Sequence, residues 1–144
     1  MKITAIIPAR GGSKRLPRKN IFPIWGKPLL TWSINAAKES KLITDVWVTT
    51  EDGEIASIAA QEQANIHRRD PVLSKDHVYK MEAIRSAAAY IDDNNGESDI
   101  YISLQANSPE ITSEILDDAI KVFIDNDRNE LISVSPNLMQ NAAF

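Results

Sequence analysis

The chain has 144 residues, 43% of them hydrophobic and 25% charged, with a formal net charge of −4. That size suits a single domain with its own core, taken here as residues 1–144. There is no cysteine, so disulfides, thiolate nucleophiles and cysteine metal sites are excluded. No signal-peptide layout and no membrane-length apolar run is present, which makes the cytoplasm the expected compartment.

Charge is unevenly placed. The first 38 residues carry eight Lys/Arg and no acid, while the remainder carries eight basic and twenty acidic residues. A nucleic-acid binder needs a broad basic face, so nucleic acid is not expected as a partner. A local anion site on an acidic body is expected instead.

Ile3–Ile7 is an apolar run that reads as a buried first strand. It leads into Pro8-Ala9-Arg10-Gly11-Gly12-Ser13-Lys14-Arg15-Leu16-Pro17-Arg18-Lys19-Asn20, with five cations, two adjacent glycines and no acid. A glycine-rich turn at a strand end brings backbone N–H groups close to an anion, and the surrounding cations would neutralise it. A di- or triphosphate is the implied ligand. The spacing fits neither a P-loop nor a dinucleotide fingerprint.

Pro28 opens a helix to about Ser40, with Leu29, Leu30, Ile34 and Ala37 near helical spacing. Asp45–Thr50 reads as a second strand, and Asp52 or Gly53 starts a helix to about Gln63. Asn65–Lys75, rich in charge and proline, reads as a loop before a helix over about Asp76–Asp92, stopped by Asp92-Asp93-Asn94-Asn95-Gly96. Ile100–Leu104 is a third strand, Thr112 or Ser113 caps a helix to about Ile124, and Leu131–Val134 reads as a fourth strand. His67 and His77 read as exposed loop residues, and Trp25, Trp32 and Trp47 as core. Strands alternating with helices imply an α/β sandwich around a mainly parallel sheet. In such folds ligands bind at the carboxyl ends of the strands. Pro8–Asn20, Thr49–Gly53 and Gln105–Pro109 fall there, and Asn65–Asp76 is placed to join them.

The segment Ile7–Asn20 resembles the opening of the nonulosonic-acid cytidylyltransferases, the family of CMP-sialic acid synthetases and their legionaminic and pseudaminic relatives. The likeness continues through Gly26-Lys27-Pro28-Leu29-Leu30, Trp32-Ser33-Ile34, Val48-Thr49-Thr50-Glu51-Asp52, Arg69 with Leu73-Ser74 and Asp76, and Leu104-Gln105 with Ser108-Pro109. It implies a Rossmann-like nucleotidyltransferase fold, a three-layer sandwich. It also implies a magnesium-dependent transfer of CMP from CTP to an acidic sugar, with release of pyrophosphate. Such a transfer needs positioning and charge neutralisation rather than a covalent nucleophile. Arg10 and Lys19 match the positions used on the triphosphate and are assigned the catalytic role. Ala9, Gly11, Gly12, Ser13, Asn20, Arg69, Leu73 and Ser74 complete the nucleotide site, with Arg68 or Arg69 open as the register at the base. Gln105 matches a sugar-contacting glutamine.

The third strand departs from the common family pattern Leu-Gln-Pro-Thr-Ser-Pro-Leu-Arg, reading Leu104-Gln105-Ala106-Asn107-Ser108-Pro109-Glu110-Ile111. Ile111 stands where the family carries arginine, so a carboxylate-bearing sugar loses a cationic partner there. Family members also continue beyond the point matching Phe144, through a dimer-packing segment and acids that hold magnesium. A homodimer and Mg2+ are therefore implied by the resemblance, with no metal ligand assigned here. A shortened homologue that binds a nucleotide or a partner without turnover is the alternative reading, as is an enzyme for a different sugar acid.

Overall fold

The computed structural model describes residues 1–127 and 129–134. Ile3–Pro8 (β1) is buried at every position, as a strand covered on both faces must be. It pairs in parallel with Asp45–Thr50 (β4) on one side and Ile100–Ser103 (β6) on the other. Asn65–Arg68 (β5) extends the sheet beyond β4, giving the order β5-β4-β1-β6. The short strands Pro23–Ile24 (β2) and Lys27–Pro28 (β3) form a separate antiparallel hairpin.

Among the described residues, four α-helices cover the sheet: Leu29–Glu39 (α1), Gly53–Gln61 (α2), Lys80–Asn95 (α3) and Ser113–Asp125 (α4). On one face Ala5, Ile7, Val46 and Val48 pack against Leu30 and Ile34 of α1, Ile55 and Ala59 of α2 and Leu116 of α4. On the other, Ile6 and Trp47 meet Ile84, Ala87 and Ile91 of α3. Alternation along β1 thus feeds two cores and makes three layers.

The chain runs outward from β1 through α1, β4, α2 and β5, then returns across α3 to place β6 on the other side of β1. The strand order reverses between β1 and β6. At such a switch point the connections leave in opposite directions and open a crevice at the strand carboxyl ends.

Asp52 caps α2 by accepting from the Ile55 N–H, and its carboxylate also takes both terminal nitrogens of Arg18 at 2.7 and 2.9 Å. The Arg18 guanidinium and the cap N–H hold the Asp52 carboxyl at about 2. The stability this lends is complete above about pH 4, where the unfolded carboxyl is ionised, and is lost as the pH falls toward 2. Arg18 is more than a third exposed, so the screened contribution is about 1 kcal/mol. Acid titration of the parent and of Asp52→Asn checks this: the variant is expected to show a flatter loss of stability below pH 4. An unchanged acid limb would contradict it.

Several sequence expectations are corrected. Leu131–Val134 forms no strand; its apolar side chains are exposed, Val134 by 87%, and no described strand pairs with them. β-Branched composition suits a strand, but only a neighbouring edge makes one. The Asn65–Lys75 segment begins as strand β5 rather than loop, and His67 within it is buried. Its Nδ1 lies 2.9 Å from Thr49 Oγ1 and its ring stacks at a tilt on Tyr90. Trp25 is 66% exposed instead of core, because Trp25 and Gly26 form the positive-φ turn of the β2–β3 hairpin. Two positive-φ residues are what a tight hairpin turn requires. The third long helix starts at Lys80, four residues later than expected, after an extended Tyr79.

Candidate active site

A cleft of about 350 Å³ opens at the β1/β6 switch point, between the carboxyl ends of β1 and β6 and the start of α3. That volume lies within the range of small-molecule sites. Arg10, Lys19, Asn20, Arg69, Leu73, Ser74 and Gln105 all border it. These residues span the chain from 10 to 105, and parallel β topology alone brings them together. A shallower cavity adjoins it, lined by Gly12, Ser13 and Lys14, and shares Arg10 and Ser74–Asp76 with the main cleft.

The basic loop is held from below. Asn20 is buried and donates through Nδ2 to the Arg10 carbonyl at 2.9 Å, tying the two ends of the loop together. Gly11 donates its N–H to Glu51 Oε1 at 2.7 Å. A Cβ there would come within 2.5 Å of Asp52 Oδ2, so only glycine permits this approach. The expectation that Gly11 offers its N–H to a phosphate is therefore corrected: that donor is already used by Glu51. Ala9 is likewise a core residue whose N–H donates to the Thr49 carbonyl. Gly12 faces open space, and among the described residues nothing accepts from the Gly12 or Ser13 N–H. Those two donors remain available to a ligand.

Glu51, at the end of β4, organises the opposite wall. Its carboxylate takes the Gly11 N–H, the Ser74 hydroxyl at 2.6 Å and Arg69 Nη2 at 3.5 Å, while Arg69 Nε donates to Ser74 Oγ at 2.8 Å. Burial pushes the Glu51 carboxyl up, but the Ser74 and Gly11 hydrogen bonds and the Arg69 charge hold it below the usual carboxylate range. Arg69 is 6% exposed and is the arginine that borders the cleft. Arg68 instead sends its guanidinium to the Glu51 carbonyl, outside the cleft. Of the two, only Arg69 borders the cleft.

The remaining cations divide into engaged and free. Arg10 and Lys14 share Asp76 at 2.7 and 2.6 Å. Lys14 first and then Arg10 hold the Asp76 carboxyl below its ordinary range. Arg18 is turned away to Asp52 and Glu54. Lys19 has no carboxylate partner among the described residues. Gln105 lies just past β6, its carbonyl accepting from buried Ser33 Oγ at 2.7 Å, and its side chain is exposed at the cleft. Sequence reasoning assigned no role to Glu51 or Lys80. The signal for Glu51 was its place directly after the buried strand residues Thr49 and Thr50; for Lys80 nothing in the sequence set it apart from the other lysines.

For magnesium, no cluster of three or more His, Asp or Glu side chains with metal-holding geometry occurs among the described residues. Glu51, Asp52 and Asp76 are each committed to cations. A hard divalent ion needs carboxylate oxygens that are free to turn to it, and these residues do not fit it.

The sequence model of the cytidylyltransferase family matches residues 4–139. The chain is 36% identical over 132 residues to N-acylneuraminate cytidylyltransferase A of Danio rerio, covering 92% of this chain and 30% of that protein. It is 36% identical over 136 residues to pseudaminic acid cytidylyltransferase of Campylobacter jejuni, covering 94% of this chain and 59% of the relative. Among solved structures, a CMP:2-keto-3-deoxy-manno-octonic acid synthetase complexed with CTP superposes with a TM-score of 0.73 at 25% identity, over 88% of this chain and 49% of that one. A cytidylyltransferase from Leptospira borgpetersenii gives 0.69 at 27% identity, over 88% and 50%. The chain thus spans from under a third to about three fifths of the length of these proteins. With a Rossmann-like parallel sheet and the cleft at its switch point, the chain belongs to the cytidylyltransferase family.

Proposed function

We propose that this chain binds CTP in the β1/β6 cleft and transfers its CMP group to an acidic sugar. The observation that carries this is the convergence of Arg10, Lys19, Asn20, Arg69, Leu73, Ser74 and Gln105 on one cleft. Family membership and the CTP-bound structural relative support it. In the proposed reaction a sugar hydroxyl oxygen forms a bond to the α-phosphorus. The bond from that phosphorus to the bridging oxygen breaks, pyrophosphate leaves, and the hydroxyl proton is lost to solvent.

Arg10 and Lys19 supply positive charge to the triphosphate, and Gly12 and Ser13 supply backbone N–H groups. Asp76 holds Arg10 and Lys14 in the ligand-free protein, and the incoming phosphates take over that pairing. Arg69, braced by Glu51 and Ser74, forms the nucleotide wall with Leu73, while Asn20 fixes the loop's shape. Gln105 meets the sugar from the β6 side. Magnesium is part of the reaction implied by the family resemblance, and no step is assigned to it because the described carboxylates do not fit it. A homodimer is proposed on the same resemblance, and a cytoplasmic setting on the lack of a signal-peptide layout in the sequence. No helix among the described residues is long and apolar enough to cross a membrane.

Incubating the chain with CTP, magnesium and each of three acids tests this reading: N-acetylneuraminate, pseudaminate and 3-deoxy-manno-octulosonate. Pyrophosphate release with one of them is the expected result. CTP bound without release for any acid would favour a nucleotide-binding module without turnover.

A further inference from the structure

The acids around the basic loop differ in what they hold. Glu51 accepts from the Gly11 N–H and the Ser74 hydroxyl, and Asp52 accepts from the Ile55 N–H at the start of α2. Both therefore hold the fold as well as a cation. Asp76 holds cations alone. Among the described residues its carboxylate meets no backbone N–H and no hydroxyl; Arg10 Nη1 lies 2.7 Å from its Oδ1 and Lys14 Nζ 2.6 Å from its Oδ2. It is carried by residues 75–79, which link the short 3-10 turn Pro71–Ser74 to α3 and belong to no helix or strand. Its side chain is half exposed, as is that of Arg10, and Lys14 is more exposed still. Ion pairs so open to water contribute little to stability.

Each oxygen of Asp76 takes one cation, as two oxygens of a phosphate group would. Asp76 and Arg10 border both the main cleft and the adjoining cavity, and Gly12, Ser13 and Lys14 line that second cavity. The carboxylate thus occupies the cations beside the free N–H groups of Gly12 and Ser13. We propose that Asp76 is a specificity-determining residue, an internal rival of the pyrophosphate part of the nucleotide for Arg10 and Lys14. This rests on the cytidylyltransferase reading of the cleft and deepens it by naming the group that selects a ligand by its phosphate charge. A triphosphate brings enough charge to take both cations from Asp76, whereas CMP carries the α-phosphate alone and leaves the pairing in place. Once displaced, the carboxylate stays close to the bound phosphates, and like charges repel. When pyrophosphate leaves, Asp76 reclaims both cations and so opposes its return.

The test uses the full chain and its Asp76→Asn variant, which keeps the shape of the side chain and removes its charge. Calorimetry measures binding of CTP, CMP and inorganic pyrophosphate at low salt and again at about 1 M sodium chloride, where charges are screened beyond about 3 Å. At low salt Asp76→Asn is expected to bind pyrophosphate and CTP about 10-fold more tightly than the parent, because no ion pair has to be broken first. CMP should bind both proteins within about twofold. At high salt the gain for pyrophosphate should shrink to less than about threefold. Urea midpoints close to one another show that the variant is folded.

Pyrophosphate bound by Asp76→Asn no better than by the parent overturns the proposal, and weaker binding would make Asp76 a group that orders the two cations. An equal gain for CMP also overturns it, since the carboxylate would then act on every anion in the cleft. So does a gain undiminished by salt, which would report a change of shape rather than of charge. CTP bound by both proteins and pyrophosphate by neither overturns it while leaving the nucleotide site standing. A parent and a variant that bind neither CTP nor pyrophosphate overturn the cytidylyltransferase reading itself.

Discussion

Arg10→Ala and Lys19→Ala are each expected to weaken CTP binding about 10- to 100-fold, the equivalent of one charge-assisted hydrogen bond to phosphate. Arg10 is 40% exposed at its side chain, and its only ion-pair partner among the described residues is Asp76, itself half exposed. Losing that pair costs the fold little, because surface ion pairs contribute about 0–1 kcal/mol. Lys19 sits in a short 3-10 turn whose backbone hydrogen bonds do not involve its ammonium. Binding and stability should therefore separate: both variants unfold at nearly the parental urea midpoint while their CTP isotherms shift. Unchanged affinity in both variants would remove the triphosphate from this loop.

Glu51→Ala is expected to have the largest effect on stability, a loss of about 3 kcal/mol. The carboxylate accepts from the Gly11 N–H and Ser74 Oγ and faces Arg69, whose side chain is only 4% exposed. Removing it leaves a buried guanidinium, a hydroxyl and a backbone N–H without their acceptor at once. A guanidinium keeps its proton at any working pH, so the charge cannot be relieved by titration. Urea unfolding should show a lower midpoint with an unchanged slope. CTP affinity should fall with it, since Arg69 and Ser74 lose the group that orients them. A loss below about 1 kcal/mol would show that water replaces the carboxylate easily, and that Glu51 does not hold the wall.

Much of this architecture was legible in the sequence for identifiable reasons. Ile3–Pro8 and residues 46–50 are continuous apolar or β-branched runs because each is covered on both faces. The helices showed themselves through spacing, and Thr112 through its capping hydroxyl, which accepts from the Ile115 N–H. β5 was missed because only His67 of Asn-Ile-His-Arg is fully buried, giving no apolar pattern to read. The hairpin was missed because Trp25-Gly26 lacks the usual Asn-Gly signal for a tight turn.

The candidate site was legible where charge and glycine cluster locally, as in Arg10–Asn20, and through its likeness to a known family. Contacts made across the fold were not. Nothing in the order of residues shows that Glu51 accepts from a glycine 40 positions earlier and a serine 23 positions later. Lys80 is invisible for the same reason: only the fold brings the first residue of α3 to the cleft that Gln105 also borders.

A cleft built for CTP discriminates among nucleotides in a calorimetric titration of the 144-residue chain with CTP, UTP, GTP and ATP, each with magnesium. CTP is expected to bind, with the other three weaker by about tenfold or more, a difference of about 1.4 kcal/mol. Equal binding of all four nucleotides, or binding of none, would contradict it.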